Sequence, residues 1–207
     1  MADTVIVGKF VGNTALAAVG ACGTLTFLIL GFLMGMTAGF TVVTAQHYGA
    51  GNDKAMRRSV ASAAILSLVV SVLLTAVSMA LMRDVLNWMN TPMDMYDQAY
   101  AYIMVICGGI VAQVLYNLLA GILRAIGDSK RPLYFLILAA LLNIVLELVF
   151  IIVFHMGAAG AAYATVISQG VSGLLCLFYI IKYVPELHLH REDWKADWNL
   201  MKWQMKI

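Results

Sequence analysis

Leu133-Tyr-Phe-Leu-Ile-Leu-Ala-Ala-Leu-Leu-Asn143-Ile-Val-Leu-Glu147-Leu-Val-Phe-Ile-Ile-Val-Phe154 is an apolar run interrupted by one amide and one carboxylate. At about 1.5 Å per residue, a helix of this length crosses the roughly 30 Å hydrocarbon core of a bilayer. A charge near the middle of such a helix costs about 2.5 to 3.5 kcal/mol on insertion scales. Glu147 therefore has two readings: part of an ion or proton pathway, or glue to a neighbouring helix. Asn143 and Glu147 stand four residues apart and share one helix face.

The rest of the chain decides whether this run is a membrane span. Of its 207 residues, 62% are hydrophobic and 12% charged, with a mean hydropathy of +0.88, whereas soluble domains carry about 25% charged residues. Four further uncharged stretches are long enough to cross. The chain thus reads as all-α, a polytopic membrane helix bundle with five full transmembrane helices at about 17–45, 59–82, 98–123, 133–154 and 157–181. Thr4 to Val11 is a sixth apolar segment covering only about 12 Å. It reads as the second half of a first helix, over about 1–11, whose beginning is missing. The lobe is expected to occupy 1–184. The start, Met-Ala-Asp-Thr-Val, lacks the basic region and apolar core of a secretory signal.

Lys and Arg collect in alternate loops: Lys54, Arg57 and Arg58 in one, Arg124, Lys130 and Arg131 in another, and Lys182, Arg191, Lys195, Lys202 and Lys206 in the tail. The positive-inside rule makes these loops and the tail cytoplasmic. The net charge of +2, thinly spread, gives no footprint for nucleic acid. The outer loop between 82 and 98 holds Asp84, Pro92, Asp94 and Asp97. Gly51-Asn52-Asp53 and Gly127-Asp128 each end one helix and cap the next, which leaves open a repeat of hairpins. From Pro185, Leu187, Trp194, Trp198, Met201 and Met205 recur among charges, so 185–207 reads as an amphipathic helix on the inner surface.

With the basic loops inside, Glu147 lies about seven residues short of the outer end of its helix, Asp3 about eight before Val11, and Thr165 about eight after Gly157. All three then sit about 10 to 12 Å below the outer edge. Two carboxylates, an amide and a hydroxyl at one depth suit a hard cation such as Na⁺, or protons shared by coupled carboxylates. Tyr102, five residues into its span, is within reach. Each member also has a structural reading: Asn143 as glue, Thr165 bonded to its own helix, Asp3 as a solvated residue near a terminus.

Other features carry less. Gly31, Gly35 and Gly39 form a small-residue stripe for close helix packing or a smooth cavity wall. Cys22, Cys107 and Cys176 sit in apolar runs without metal or redox spacing and read as small buried hydrophobes. His47, His155, His188 and His190 show no metal geometry. Trp88, Trp194, Tyr100, Tyr102 and Tyr163 are placed as interfacial anchors.

Asp3-Thr-Val-Ile-Val-Gly, Ala15-Leu-Ala-Ala-Val-Gly, Ala45-Gln-His-Tyr-Gly-Ala-Gly, Leu123-Arg-Ala-Ile-Gly-Asp and Gly160-Ala-Ala-Tyr-Ala-Thr, taken in order, resemble the multidrug and toxic compound extrusion (MATE) family over essentially the whole chain. The resemblance implies a secondary active antiporter, not an enzyme, in a prokaryotic plasma membrane. It would exchange Na⁺ or H⁺ for amphipathic, often cationic, drug-like organic compounds, with no cofactor. It also implies that this chain is the N-terminal lobe of a twelve-helix transporter, that 185–207 leads to a C-terminal lobe absent here, and that the lobe alone does not transport. The family's cation-coupling positions match Asp3, Asn143, Glu147, Thr165 and Tyr102. Glu147 stands where many relatives carry Asp, which leaves the ion open. A flippase for a lipid-linked saccharide would need a basic lumen, and no Lys or Arg lies within a full span. A membrane interaction module with Glu147 as glue is the remaining alternative.

Overall fold

The computed structural model describes residues 2–194 and 198–205; the side chains of Ala2, Asp3 and Asn199 lie outside that description. Among the described residues eight α-helices follow in order: α1 (Ala2–Phe10), α2 (Asn13–Gly49), α3 (Asp53–Trp88), α4 (Met93–Gly108), α5 (Ile110–Ala125), α6 (Lys130–Leu148), α7 (Gly157–Tyr183) and α8 (Trp198–Gln204). A π-helical turn, Val149–Val153, extends α6, and a 3-10 turn, Pro185–Leu187, follows α7. Among the described residues four helices are long and apolar enough to cross a membrane, and α4 with α5 makes a fifth span if that bent pair is counted as one. The all-α membrane bundle expected from hydropathy is the observed fold.

Where the apolar runs end in loops, helix ends fall within a few residues of expectation, as for α6 and α7. Elsewhere the helices outrun them. α2 has 37 residues, about 55 Å, and α3 has 36, because a helix needs only backbone hydrogen bonds and continues through polar residues beyond the hydrocarbon layer. The outer loop expected between 82 and 98 shrinks to residues 89–92.

The continuous span expected at 98–123 is corrected: it breaks at Gly108–Gly109, and α4 and α5 meet at 45°. Gly109 faces Val166 of α7. A Cβ there would lie 2.1 Å from Val166 Cγ2, so only glycine lets the two backbones approach.

Both basic loops use one device. Gly51 (φ +66°) and Gly127 (φ +90°) take the left-handed conformation that ends a helix. The next residue's side chain then caps the following helix, Asn52 Oδ1 accepting from Ala55 N at 3.0 Å and Asp128 Oδ1 from Arg131 N at 3.2 Å.

The core has two layers. Val7, Leu33, Leu86, Ile103 and Ile151 belong to the one holding α1 and α4, while Met56, Leu123, Cys176 and Leu187 belong to the one nearer the basic loops. All three cysteines are fully buried within these layers or beside them. The close-packing reading of the glycine stripe fails at Gly31 and Gly35: both are exposed, and a Cβ on either would meet nothing within 4 Å among the described residues, whereas Gly39 is half-buried. The tail is also corrected. Residues 185–194 hold only the 3-10 turn and polar turns, and among the described residues of the tail helix is confined to α8. Met201 is buried, Gln204 Nε2 donates to Ser59 O at 2.9 Å, and Trp203 meets the His47 ring edge-on. Tyr102 is 8% exposed, so it is a core residue and not an interfacial anchor.

Candidate functional site

α6 and α7 are antiparallel neighbours joined by a tight turn. His155 (φ +53°) and Gly157 (φ +60°) reverse the chain, and Gln98 Oε1 accepts from Ala158 N at 3.0 Å, tying the start of α7 to α4. This fixes the register in which Asn143 on α6 faces Thr165 on α7. Asn143 Nδ2 donates to Thr165 Oγ1 at 3.2 Å, and Thr165 Oγ1 donates to Ala161 O at 3.1 Å. The threonine therefore holds its own helix and receives its neighbour's amide at once.

One turn beyond Asn143, Glu147 is fully buried. The π turn begins two residues later. A π turn inserts an extra residue and re-aims the helix that follows, and such turns are frequent at functional sites. Here it brings Ile151 into the core beside α1 and α7 while Glu147 remains inside.

α1 packs on α2, α6, α7 and the π turn, and α4 packs on α7. The backbone of Asp3 thus lies on a helix joined to both α6 and α7, and its side chain lies outside the described residues. Tyr102 on α4 is buried in the same core layer as Val7 of α1. Asn143 and Thr165 are joined directly, and Glu147 lies a turn away.

Two residues escaped the sequence reading. Ser168 and Gln169 line, with Asn143 and Thr165, a cavity of about 180 Å³ between α6 and α7. Ser168 is 2% exposed, and its Oγ and Gln169 Oε1 have no hydrogen-bond partner among the described residues. The signal was available: Thr165, Ser168, Gln169 and Ser172 recur at i, i+3, i+4 and i+7, one face of α7. Glu147 does not line this cavity, whose amide and hydroxyl oxygens are of the hard kind that coordinates a cation. Among the described residues, no three His, Cys, Asp or Glu side chains cluster as a metal site.

A family model described as MatE matches residues 1–149. The chain is 35% identical over 202 residues to the probable multidrug resistance protein YpnP of Bacillus subtilis, covering 97% of this chain and 45% of that protein. It is 29% identical over 215 residues to the probable multidrug resistance protein NorM of Thermotoga maritima, covering 100% and 45%. The fold superposes on a multidrug resistance MATE family transporter of the MOP superfamily in its outward-facing conformation with a TM-score of 0.93, and on an inward-facing one with 0.92, each at 27% identity. These matches cover 100% and 99% of this chain and 46% and 47% of those chains. The chain spans about half the length of the curated relatives it matches.

Proposed function

This chain belongs to the MatE family, and from that premise we propose that it forms one lobe of a secondary active exporter exchanging Na⁺ or H⁺ for amphipathic, often cationic organic compounds. The lobe is residues 1–184, and 185–207 leads toward a second lobe. The host is a prokaryotic plasma membrane, with the basic loops and tail on the cytoplasmic side. Glu147 and Asp3 bind the coupling cation, and Asn143, Thr165 and Tyr102 complete the site.

The observation that carries this reading is the Asn143–Thr165 hydrogen bond one turn from the buried Glu147 carboxylate. It locks the amide of one helix to the hydroxyl of the other, one turn from a charge that a lipid-facing position would not tolerate. The near-equal similarity to inward- and outward-facing structures supports a lobe that moves as a nearly rigid unit, as alternating access by rocking halves requires. Cation binding then biases the lobe between states of different drug affinity, which is linkage between two sites.

The test is Glu147→Gln in a full-length transporter carrying this lobe, reconstituted in vesicles, with dye efflux driven separately by a Na⁺ or a proton gradient. Loss of coupled efflux under one gradient is expected and identifies the ion. Undiminished efflux under both would make Glu147 structural glue and overturn the assignment.

A further inference from the structure

A groove runs along the outside of the lobe. α3 and α7 both pack on α5 but not, among the described residues, on each other. Between them lies a cavity of about 760 Å³, floored by α5 from Val111 to Ile122, with Ala64 and Leu68 on the α3 wall and Leu177 and Ile181 on the α7 wall. We propose that this groove seats one acyl chain of a phospholipid from the leaflet on the side of the basic loops, with the phosphate at His190 and Trp194.

Length selects the occupant first. The floor covers about 16 Å at 1.5 Å per residue, one leaflet's half of a roughly 30 Å hydrocarbon core. Both walls are largely aliphatic, and Ser71 Oγ donates to Leu68 O at 2.9 Å, which turns its hydroxyl onto its own helix. The volume falls in the usual range of about 300 to 1,000 Å³ for ligand pockets.

Charge selects the headgroup. At the mouth, His190 and Trp194 carry ring nitrogens able to donate, whereas His188 Nε2 is engaged by Ile181 O; among the described residues no carboxylate lines the groove. Glu186 and Glu192 are exposed on the same segment but do not line it. Trp194, 48% exposed, sits where an indole favours the headgroup layer.

The mouth is also held in place. Leu187 is buried, and Asp193 Oδ2 accepts from Arg57 Nε at 3.3 Å and from His190 N at 2.9 Å. His188 Nε2 lies 2.7 Å from Ile181 O in the last turns of α7. A seated lipid therefore bridges α3, α5, α7 and the segment after α7, and fixes that segment under the bundle.

The test uses the full chain in phosphatidylglycerol and phosphatidylethanolamine vesicles containing a phospholipid with a mid-chain diazirine. After irradiation, labelled peptides are mapped by mass spectrometry. Label is expected to concentrate several-fold on 111–122 over the largely exposed stretch 133–138 of α6. Ala64→Phe, which puts a ring into the groove, should lower the α5 label to the α6 level. Leu68→Trp, at a 57% exposed wall position, gives the same readout should Ala64→Phe not fold. A diacylglycerol probe with the same chain should label α5 less than the phospholipid does. Even labelling of α5 and α6, an α5 label unmoved by the wall variants, or equal labelling by the two probes would overturn the proposal.

Discussion

Gly109→Ala is expected to cost about 1 to 3 kcal/mol, the usual range for an overpacked site, and to impair transport by more than that loss explains. The added Cβ would stand 2.1 Å from Val166 Cγ2, 2.7 Å from Cγ1 and 2.9 Å from Cβ, where carbon atoms rest at about 3.5 to 4.0 Å. Val166 cannot swing clear. A β-branched side chain in a helix has one strongly preferred χ1, and its Cβ, which no rotation moves, is itself too close. α5 and α7 must part by roughly 1 Å. Thr165 neighbours Val166, and its bond to Asn143 at 3.2 Å is already at the long end of the normal range. The same displacement breaks it. Thermal unfolding of purified Gly109→Ala, Val166→Ala and the double variant forms a cycle, with an expected coupling of about 0.5 to 3 kcal/mol in favour of the double variant. Cation-driven efflux should recover alongside stability. A wild-type melting temperature for Gly109→Ala, or no relief from Val166→Ala, would refute this account of the α5–α7 contact.

Thr165→Val removes the acceptor for Asn143 Nδ2; interhelical hydrogen bonds in membranes average about 0.6 kcal/mol and reach about 1.7, so a small stability loss with a large loss of coupled efflux is expected, and Thr165→Ser should restore both. Wild-type efflux from Thr165→Val would reduce Thr165 to a packing residue. Asp193→Asn weakens the ion pair with Arg57 at a carboxylate only 3% exposed; a charged hydrogen bond worth about 1.5 kcal/mol or more corresponds to roughly tenfold faster limited proteolysis at the exposed Arg191. An unchanged cleavage rate would show that the pair does not hold the segment after α7.

What hydropathy reads well is the part of a helix that contacts hydrocarbon. Leu133 to Phe154 ends where the helix ends because polar residues and turn chemistry coincide there, and Gly51 and Gly127 are visible as stops because only a left-handed residue fits. α3 runs past both ends of its apolar run because a helix needs only backbone hydrogen bonds, which continue through charged residues such as Arg57 and Asp84. The break at Gly109 is a different kind of omission. Its cause is Val166 on another helix, and nothing local to Gly108-Gly109 separates a tolerated glycine pair from a bend. The exposed Gly31 and Gly35 show the converse: the spacing permits close packing, but among the described residues no helix comes to use it there.

Asn143 and Thr165 were legible because helix direction and the 1.5 Å rise convert sequence position into depth, and depth brings them together before any contact is known. Ser168 and Gln169 were within reach of the same logic, since they extend the Thr165 face by one turn toward the basic loops. They passed unremarked because a lone hydroxyl or amide in a membrane helix usually bonds its own backbone. The π turn after Glu147 has no signature in Val-Phe-Ile-Ile-Val. It matters physically all the same: without the extra residue, the chain beyond Glu147 would be rotated, and Ile151 and the Gly157 turn would no longer set α7 at the register that places Thr165 against Asn143. The buried charge is thus visible in the sequence as a cost, whereas the backbone irregularity that aligns its neighbours emerges only from three-dimensional packing.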